Sequence, residues 1–262
     1  MSYDENEHPL INNQTRIMKA EVTSVGRVTP RMAEVTIAGP DLRGMPDIGP
    51  DQFLYVFIPR QGEAVPDVDY DFDWARWREM PENERPIGRY YTVRRFRPGQ
   101  GEIDLHMVLH GDGPLTGWAA RARPGDRVAL WGPRAAFRLP GDASAIVLAA
   151  DEAGLPALAS ILESLPDGMR GTALLEVDHA EDRQELRGPA GVDICWLPRE
   201  GRPYGERLLE AVTSAPLPDG LSYAWAAAES SLVGKLRRHF RSAWGLPGDR
   251  VCAIGYWNRS AH

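Results

Sequence analysis

The chain contains little cysteine. Only Cys195 and Cys252 occur among its 262 residues. Two thiols are too few for a disulfide framework, a four-cysteine iron–sulfur centre or a structural zinc site. We therefore predict no metal site, and we expect both thiols to be small buried side chains of a protein from a reducing compartment.

Long apolar runs are also missing. No stretch approaches the roughly 20 apolar residues that a membrane-spanning helix needs. Residues 1–7 are polar and acidic, where a secretory signal would be basic and then apolar. These features predict a cytoplasmic protein without membrane insertion, and we expect the polar residues 1–15 to form a flexible tail.

The chain has no excess of positive charge. Its 30 Lys and Arg residues face 37 Asp and Glu residues, a net charge of −7, which argues against a protein that coats nucleic acid. The charge is unevenly distributed, because 61–86 holds eight acids and three arginines whereas 87–138 holds nine arginines and four acids. An acidic protein can therefore present a basic surface to anionic ligands.

The composition and length are those of a folded protein of about two domains, with 43% hydrophobic and 26% charged residues. The first domain is predicted over 16–140, where short apolar runs are separated by Gly and Pro. Alternation of apolar and polar residues in 102–110 is typical of a sheet with one solvent-exposed face. Six segments have strand character and together predict a small antiparallel β-barrel: 15–25, 33–38, 52–59, 89–96, 102–110 and 127–132.

The acidic insertion 61–86 interrupts this pattern. We predict a solvated loop with a short helix over 74–80. A calcium site over 67–73 is rejected, because the glycine expected inside an EF-hand loop is missing.

The second domain, 141–262, alternates strands with helices. Its first strand, 145–150, is a continuous apolar run typical of a strand covered on both faces. The remaining predicted strands are 172–177, 192–197, 222–228 and 250–256, and the helices are 155–165, 204–214 and 231–243. Alternation of this kind predicts crossover units, a parallel sheet and a nucleotide-binding α/β domain.

One strand of the first domain carries a chemically distinctive run, from Arg89 to Arg94. Arg89 and Tyr91 share a face of the strand, so that a guanidinium and a flat ring can address one ligand with an anionic and an aromatic part. Taken alone, a strand arginine is more commonly a surface residue.

A glycine-rich turn follows some eighteen residues later, running from His110 to Thr116. A strand ends and a helix begins here, which places backbone N–H groups and the Thr116 hydroxyl where they can hold a phosphate. The simpler alternatives are an ordinary helix start and a structural role for His110.

These motifs, in this order on a barrel that precedes a parallel-sheet domain, resemble the flavin domain of the ferredoxin-NADP-reductase superfamily. More narrowly, the chain resembles the siderophore-interacting proteins, which are FAD-containing ferric-siderophore reductases. The motifs that carry this likeness are Arg89 to Arg94, Val108 to Gly111 with Gly113-Pro114, Trp118-Ala119, Gly132-Pro133-Arg134, Asp151-Glu152 with Leu155-Pro156-Ala157, and Gly255-Tyr256-Trp257.

The chain departs from the family pattern at a few positions. Leu115 stands where a small residue is usual, and Ala228 precedes Glu229 where glycine is usual. We expect Leu115 to tighten the phosphate turn, and Ala228 to restrict the approach of a nicotinamide.

The resemblance implies an FAD site on the barrel. Arg89 would pair with the pyrophosphate, Tyr91 would stack on the isoalloxazine, and Thr92 would hydrogen-bond near its N5. Tyr91 and Thr92 are thereby the predicted catalytic residues. The full predicted set of cofactor-binding residues is Arg89, Tyr90, Tyr91, Thr92, His106, Val108, His110, Gly111, Gly113, Leu115 and Thr116.

The resemblance also implies a nicotinamide site on the second domain, formed by Asp151, Glu152 and Glu229. Asp151 and Glu152 follow the first strand of that domain at its carboxyl end, where open parallel sheets bind ligands. For Asp151, a cap on the following helix is the alternative.

Two further groups bear on the substrates. Lys235, Arg238 and Arg241 are spaced to share one helix face, which suits an anionic ferric siderophore, the 2′-phosphate of NADPH, or solvent alone. We predict substrate binding by Lys235, Arg238 and Arg259. Glu176 and Asp178 end the second parallel strand, where an acid favours a ribose hydroxyl over a phosphate; this favours NADH and leaves NADPH open.

The function implied by the resemblance is NAD(P)H-dependent reduction of ferric siderophores. A hydride passes from NADH or NADPH to FAD, and chelated Fe(III) is then reduced one electron at a time and released as Fe(II). The alternatives are a general flavin or ferredoxin-type reductase with another acceptor, and a siderophore carrier without redox activity. We expect a monomer that binds no nucleic acid.

Overall fold

The computed structural model describes residues 11, 14–60, 62–109, 113–215 and 219–259. They divide into two units. One comprises the described residues of 11–48 and 52–135, and the other those of 49–51 and 136–259. Within the described residues, no helix combines the length and apolar character needed to cross a membrane.

The first unit is a closed antiparallel barrel of six strands in the order β1-β2-β5-β4-β3-β6, as predicted. Its strands are β1 (Arg16–Thr29), β2 (Met32–Ala38), β3 (Phe53–Ile58), β4 (Ile87–Arg97), β5 (Glu102–Val108) and β6 (Arg127–Arg134). β1 is longer than predicted because its two halves serve different neighbours. Residues 16–21 pair with β6, and the following residues pair with β2.

The barrel interior is filled by alternate residues of each strand. Val35, Leu54 and Leu105 are among the fully buried members of this core. The predicted solvent-exposed face of β5 is only partly correct, because Asp104 is buried. Its carboxylate accepts hydrogen bonds from the Arg97 guanidinium at 2.6 and 2.7 Å, which makes its burial tolerable.

The acidic insertion contains the predicted short helix, α1 (Trp74–Glu79), capped by the Asp73 carboxylate. Its aromatic side chains pack on the outer barrel wall, where the Trp74 ring meets Tyr55 and Trp131 edge to face at 5.0 and 5.2 Å. The description as a solvated loop is therefore incomplete, since Phe72, Trp74 and Trp77 are half-buried, whereas Tyr70 and most of the charged side chains are exposed. A second helix of this unit, α2 (Pro114–Arg121), follows β5.

The second unit is a parallel five-stranded sheet in the order β11-β10-β7-β8-β9, again as predicted. The strands are β7 (Ala145–Ala150), β8 (Arg170–Val177), β9 (Gly191–Pro198), β10 (Tyr223–Glu229) and β11 (Val251–Trp257). The helices are α3 (Leu155–Ser164), α4 (Glu206–Ser214) and α5 (Ser230–Ser242). Leu208 of α4 and Phe240 of α5 join one core beneath the sheet with small side chains such as Ala226.

The two cysteines differ in environment. Cys252 is buried, as predicted, whereas the prediction for Cys195 is wrong, since that thiol is exposed. Cys195 lies on β9, which forms an edge of the sheet.

Candidate functional site

Strand β4 places Arg89, Tyr91 and Thr92 together in the barrel unit. Tyr91 packs against the barrel core and is half-buried, and burial raises the pKa of its phenol to about 12, so the ring stays neutral. The Arg89 guanidinium is exposed, and its Nη1 donates to the Gly88 carbonyl at 2.8 Å. A flat neutral ring and an accessible cation therefore share one strand, as the sequence predicts.

Thr92 supplies a test of whether a cofactor fits here. Its side chain is 5% exposed, and within the described residues its Oγ1 has no hydrogen-bond partner. A buried hydroxyl without a partner is unfavourable, and a bound ligand that offers one would relieve it. The FAD implied by the resemblance fits this requirement.

Tyr90 has a structural environment instead. Its ring meets Phe53 and Tyr55 edge to face at 5.4 and 4.9 Å, in the aromatic cluster on the outer barrel wall. Contact between Tyr90 and a cofactor stays a prediction.

The N-terminus of α2 provides an open turn. Gly113 is the N-cap residue and Pro114 occupies the first helical turn, and among the described residues no side chain caps the helix. In the part of the chain that the structure describes, a Cβ at Gly113 would meet the Thr116 Oγ1 alone, at 3.8 Å. Leu115 is buried in the barrel core, and the expectation that it tightens the turn stays a prediction. Uncapped N–H groups of this kind suit a phosphate.

Four other predicted cofactor-binding residues precede Gly113 in the sequence: His106, Val108, His110 and Gly111. His110 and Gly111 lie outside the described residues. The buried His106 ring places its Nε2 3.0 Å from the Glu34 carboxylate, and burial lowers the pKa of that histidine. Val108 ends β5 opposite Met32. Cofactor contacts by these residues stay predictions.

In the α/β unit, Asp151 is the centre of a buried hydrogen-bond network. Its Oδ1 accepts from the backbone N–H groups of Ala153 and Gly154 at 2.8 and 2.9 Å. Its Oδ2 accepts from the Glu229 N–H at 3.1 Å, from the Trp257 indole at 2.8 Å and from the Tyr204 hydroxyl.

With five donors on two oxygens and 1% exposure, Asp151 is a positioning residue. This geometry supports the alternative of a helix cap and extends it, since the network also ties β10 and β11 to the end of β7. The chain after β7 also packs closely on β10, because a Cβ at Gly154 would collide with the Ala227 carbonyl.

Glu152 belongs to a cluster around Arg199. The guanidinium contacts Glu152 at 2.6 Å, and Glu176 and Asp178 at 3.3 Å each. Burial raises the pKa of Glu152 to about 7. The Glu176 carboxylate also accepts from the Gly205 and Leu208 N–H groups at 2.7 and 2.9 Å. Glu176 therefore caps α4, and its oxygens are committed within the fold.

Glu229 has a comparable structural task at the start of α5. Its Oε2 accepts from the N–H groups of Ser231 and Leu232 at 2.8 and 3.2 Å. Burial would raise the pKa of Glu229, but hydrogen bonds from the Ser231 hydroxyl and from these N–H groups hold it below its usual range. Ala228 is buried in the core beneath the sheet.

A cavity of about 650 Å³ opens beside Glu229. Two of the predicted substrate-binding residues, Lys235 and Arg259, line it together, with Ser230 and Asn258 adding polar groups. Arg238 is exposed on the same helix and is absent from the cavity lining. The structure thus brings Lys235 and Arg259 together without Arg238.

Tyr204 is a site residue that the sequence analysis missed. Its ring lines the cavity, and the Arg199 and Arg259 guanidinium carbons lie 5.1 and 5.2 Å from its centroid. Arg199 was missed as well. The available signal was the Pro203-Tyr204-Gly205 turn, which is too common to single out a site.

Comparison with known proteins adds independent information. Two family models match the chain: the siderophore-interacting FAD-binding domain over residues 21–137 and siderophore-interacting protein over residues 143–260. A ferric vibriobactin reductase of Vibrio cholerae is 32% identical over 236 residues, covering 88% of this chain and 86% of that protein.

Two further matches extend over nearly the whole chain. An NADPH-dependent ferric-chelate reductase of Escherichia coli is 27% identical, covering 95% of each protein. A solved structure of a siderophore utilization protein from T. fusca has a TM-score of 0.84 and 33% identity, covering 97% of each chain.

Proposed function

Because this chain belongs to the siderophore-interacting protein family, we propose that it is an FAD-dependent reductase of ferric siderophores or related ferric chelates. NADH or NADPH donates the electrons. One NAD(P)H supplies two electrons, which reduce two chelated Fe(III) ions to Fe(II), with NAD(P)⁺ and one proton as the other products. The observation that carries this proposal is the buried Thr92 hydroxyl beside Tyr91 and Arg89 on β4.

We assign FAD to the domain 16–140. When bound, FAD supplies the chemistry that accepts a hydride and passes on single electrons. Arg89 binds the pyrophosphate as a charged donor, the Tyr91 ring orients the isoalloxazine by stacking, and the Thr92 hydroxyl exchanges a hydrogen bond near N5. The open turn at Gly113 and Thr116 receives phosphate through its N–H groups.

We assign the nicotinamide nucleotide to the domain 141–262. Glu152 and Glu229 lie near it, and Asp151 positions the ends of β7, β10 and β11. Lys235 and Arg259 attract an anionic ferric chelate, with Arg238 adding to the long-range field. We further propose a cytoplasmic monomer.

The test is anaerobic. The purified protein is expected to retain FAD, to lose its flavin absorbance on addition of NADH or NADPH, and to regain it on addition of a ferric siderophore with release of trapped Fe(II). Failure of every ferric chelate to reoxidise the flavin would leave a reductase with another acceptor. A protein that binds ferric siderophore but no flavin would be a carrier.

Variants test the FAD assignment. Arg89→Ala and Tyr91→Ala are expected to lower FAD retention about tenfold or more, whereas Arg95→Ala, an exposed arginine on the same strand, leaves it unchanged. Equal FAD content in all three variants would refute the site.

A further inference from the structure

The carboxyl end of β8 bears on which nicotinamide nucleotide the protein uses. In parallel α/β sheets that bind dinucleotides, an acid near this position accepts hydrogen bonds from the adenosine ribose, whereas a nearby arginine accommodates the 2′-phosphate of NADPH. Here Asp178 directly follows β8, and Arg199 directly follows β9, the neighbouring strand. An acid and an arginine therefore lie next to each other where the carboxyl ends of β8 and β9 meet.

Arg199 is already committed to acids of this chain. Its Nη2 lies 2.6 Å from Glu152 and 3.3 Å from Asp178, and its Nη1 lies 3.3 Å from Glu176. The Arg199 side chain is only 12% exposed. A 2′-phosphate would have to displace one of three carboxylates and would then lie beside the others, which is electrostatically unfavourable.

Asp178 is the most exposed of the three acids, although its carboxylate also contacts Arg199 and His179. Its side chain is 42% exposed, compared with 15% for Glu152 and 0% for Glu176. Glu176 is also occupied by the N–H groups at the start of α4. The carboxylate that can reach a ribose hydroxyl is therefore that of Asp178.

The other charged groups near Asp178 do not offset the negative charge of these acids. His179 lies between Asp178 and Glu200, at 3.5 and 3.4 Å, and Arg202 contacts Glu206 and Glu210. The segment 178–187 contains two arginines, both exposed, against four acids. A dianionic phosphate meets a net negative surface here.

We infer that this protein selects NADH over NADPH, with Asp178 accepting a hydrogen bond from the 2′-hydroxyl of the adenosine ribose and Arg199 held back from the 2′-phosphate by Glu152, Glu176 and Asp178. The inference rests on the proposed function and deepens it. It sets this chain apart from its Escherichia coli relative, whose name specifies NADPH.

Two measurements on the FAD-loaded protein test the inference. The first is the anaerobic rate of flavin bleaching over a range of NADH and NADPH concentrations. The second is calorimetric binding of ADP-ribose and 2′-phospho-ADP-ribose, which requires no electron transfer. We expect NADH and ADP-ribose to be favoured by about tenfold or more, a factor that corresponds to about 1.4 kcal/mol.

Asp178→Asn is expected to lower NADH and ADP-ribose affinity by about tenfold and to change NADPH affinity much less, so that the selectivity falls. Asp193→Asn, an exposed acid near the other end of β9, is the matched control and keeps the selectivity of the wild type.

Equal or better use of NADPH by the wild type, together with equal binding of the two ADP-ribose forms, would overturn the inference. So would an Asp178→Asn variant with unchanged selectivity. If Asp178→Asn fails to fold, the wild-type comparison still decides. Absence of flavin bleaching by either nucleotide would instead contradict the proposed function.

Discussion

Thr92 is the residue whose surroundings most favour a bound cofactor, because its buried hydroxyl has no hydrogen-bond partner within the described residues. Thr36 offers a contrast in the same barrel, since its Oγ1 donates to the Asp104 carboxylate at 2.9 Å. The two threonines therefore differ in what their hydroxyls contribute to the FAD-free protein. The Thr36 hydroxyl stabilises the fold, whereas the Thr92 hydroxyl makes no hydrogen bond within the described residues.

Substitution by valine, which keeps the side-chain shape, separates these roles. Thr36→Val is expected to lower the free energy of unfolding of the FAD-free protein by about 1–2 kcal/mol. Thr92→Val is expected to leave it unchanged or slightly raised, while FAD retention falls. Urea unfolding of the FAD-free proteins and flavin content after purification measure the two effects. A Thr92→Val loss as large as that of Thr36→Val would mean that the fold itself uses the hydroxyl.

At the scale of elements, the Asp151 network holds the ends of three strands together. Its carboxylate receives donors from the start of α3, from β10, from β11 and from the Tyr204 turn. Buried charges of this kind are stable only when their oxygens are fully satisfied. Geometry at the candidate nicotinamide site therefore depends on one side chain that has no spare acceptor to offer a ligand.

Asp151→Asn is expected to lower the free energy of unfolding by about 3 kcal/mol, because an amide nitrogen would face donors that now meet a carboxylate oxygen. Asp193→Asn serves as control and should change it by less than about 0.5 kcal/mol. Denaturant unfolding monitored by circular dichroism gives both values. A loss at Asp151 as small as that of the control would show that the network does not support the sheet.

At the scale of the whole molecule, buried acids in the α/β unit shape the response to pH. Burial raises the pKa of Asp51 to about 6 and that of Glu152 to about 7. Both values lie above those of an unfolded chain, so the folded state holds protons that the unfolded state releases. Stability from these groups is therefore present at low pH and is lost as the pH rises through about 6 to 7.

Glu152→Gln isolates one of these contributions. The free energy of unfolding of the wild type is expected to fall by about 2 kcal/mol more than that of Glu152→Gln between pH 5 and pH 8. Glu79→Gln, at an exposed residue of α1, should follow the wild-type profile. Parallel profiles for the wild type and Glu152→Gln would contradict the raised pKa.

The architecture and the family were accessible from sequence because their signals are local. Short apolar runs between Gly and Pro marked the barrel strands, with period-two alternation in the strand now seen as β5, and the apolar run 145–150 marked β7. The Arg89 to Arg94 run likewise lies on a single strand, so that its spacing alone predicted which side chains share a face. The secondary structure of such segments can be predicted from their own residues, without knowledge of their tertiary contacts.

Which acids face a ligand was decided only by the tertiary structure. Asp151, Glu176 and Asp178 are all acids at the carboxyl ends of strands, yet Asp151 joins three strands, Glu176 caps α4 and the Asp178 side chain is 42% exposed. The place of Arg199 and Tyr204 in the candidate site follows only from the packing of β9 and α4 beside β7 and β8. Long-range donors and charges determine these roles, and a sequence pattern contains no record of residues that lie far apart in the chain and close together in space.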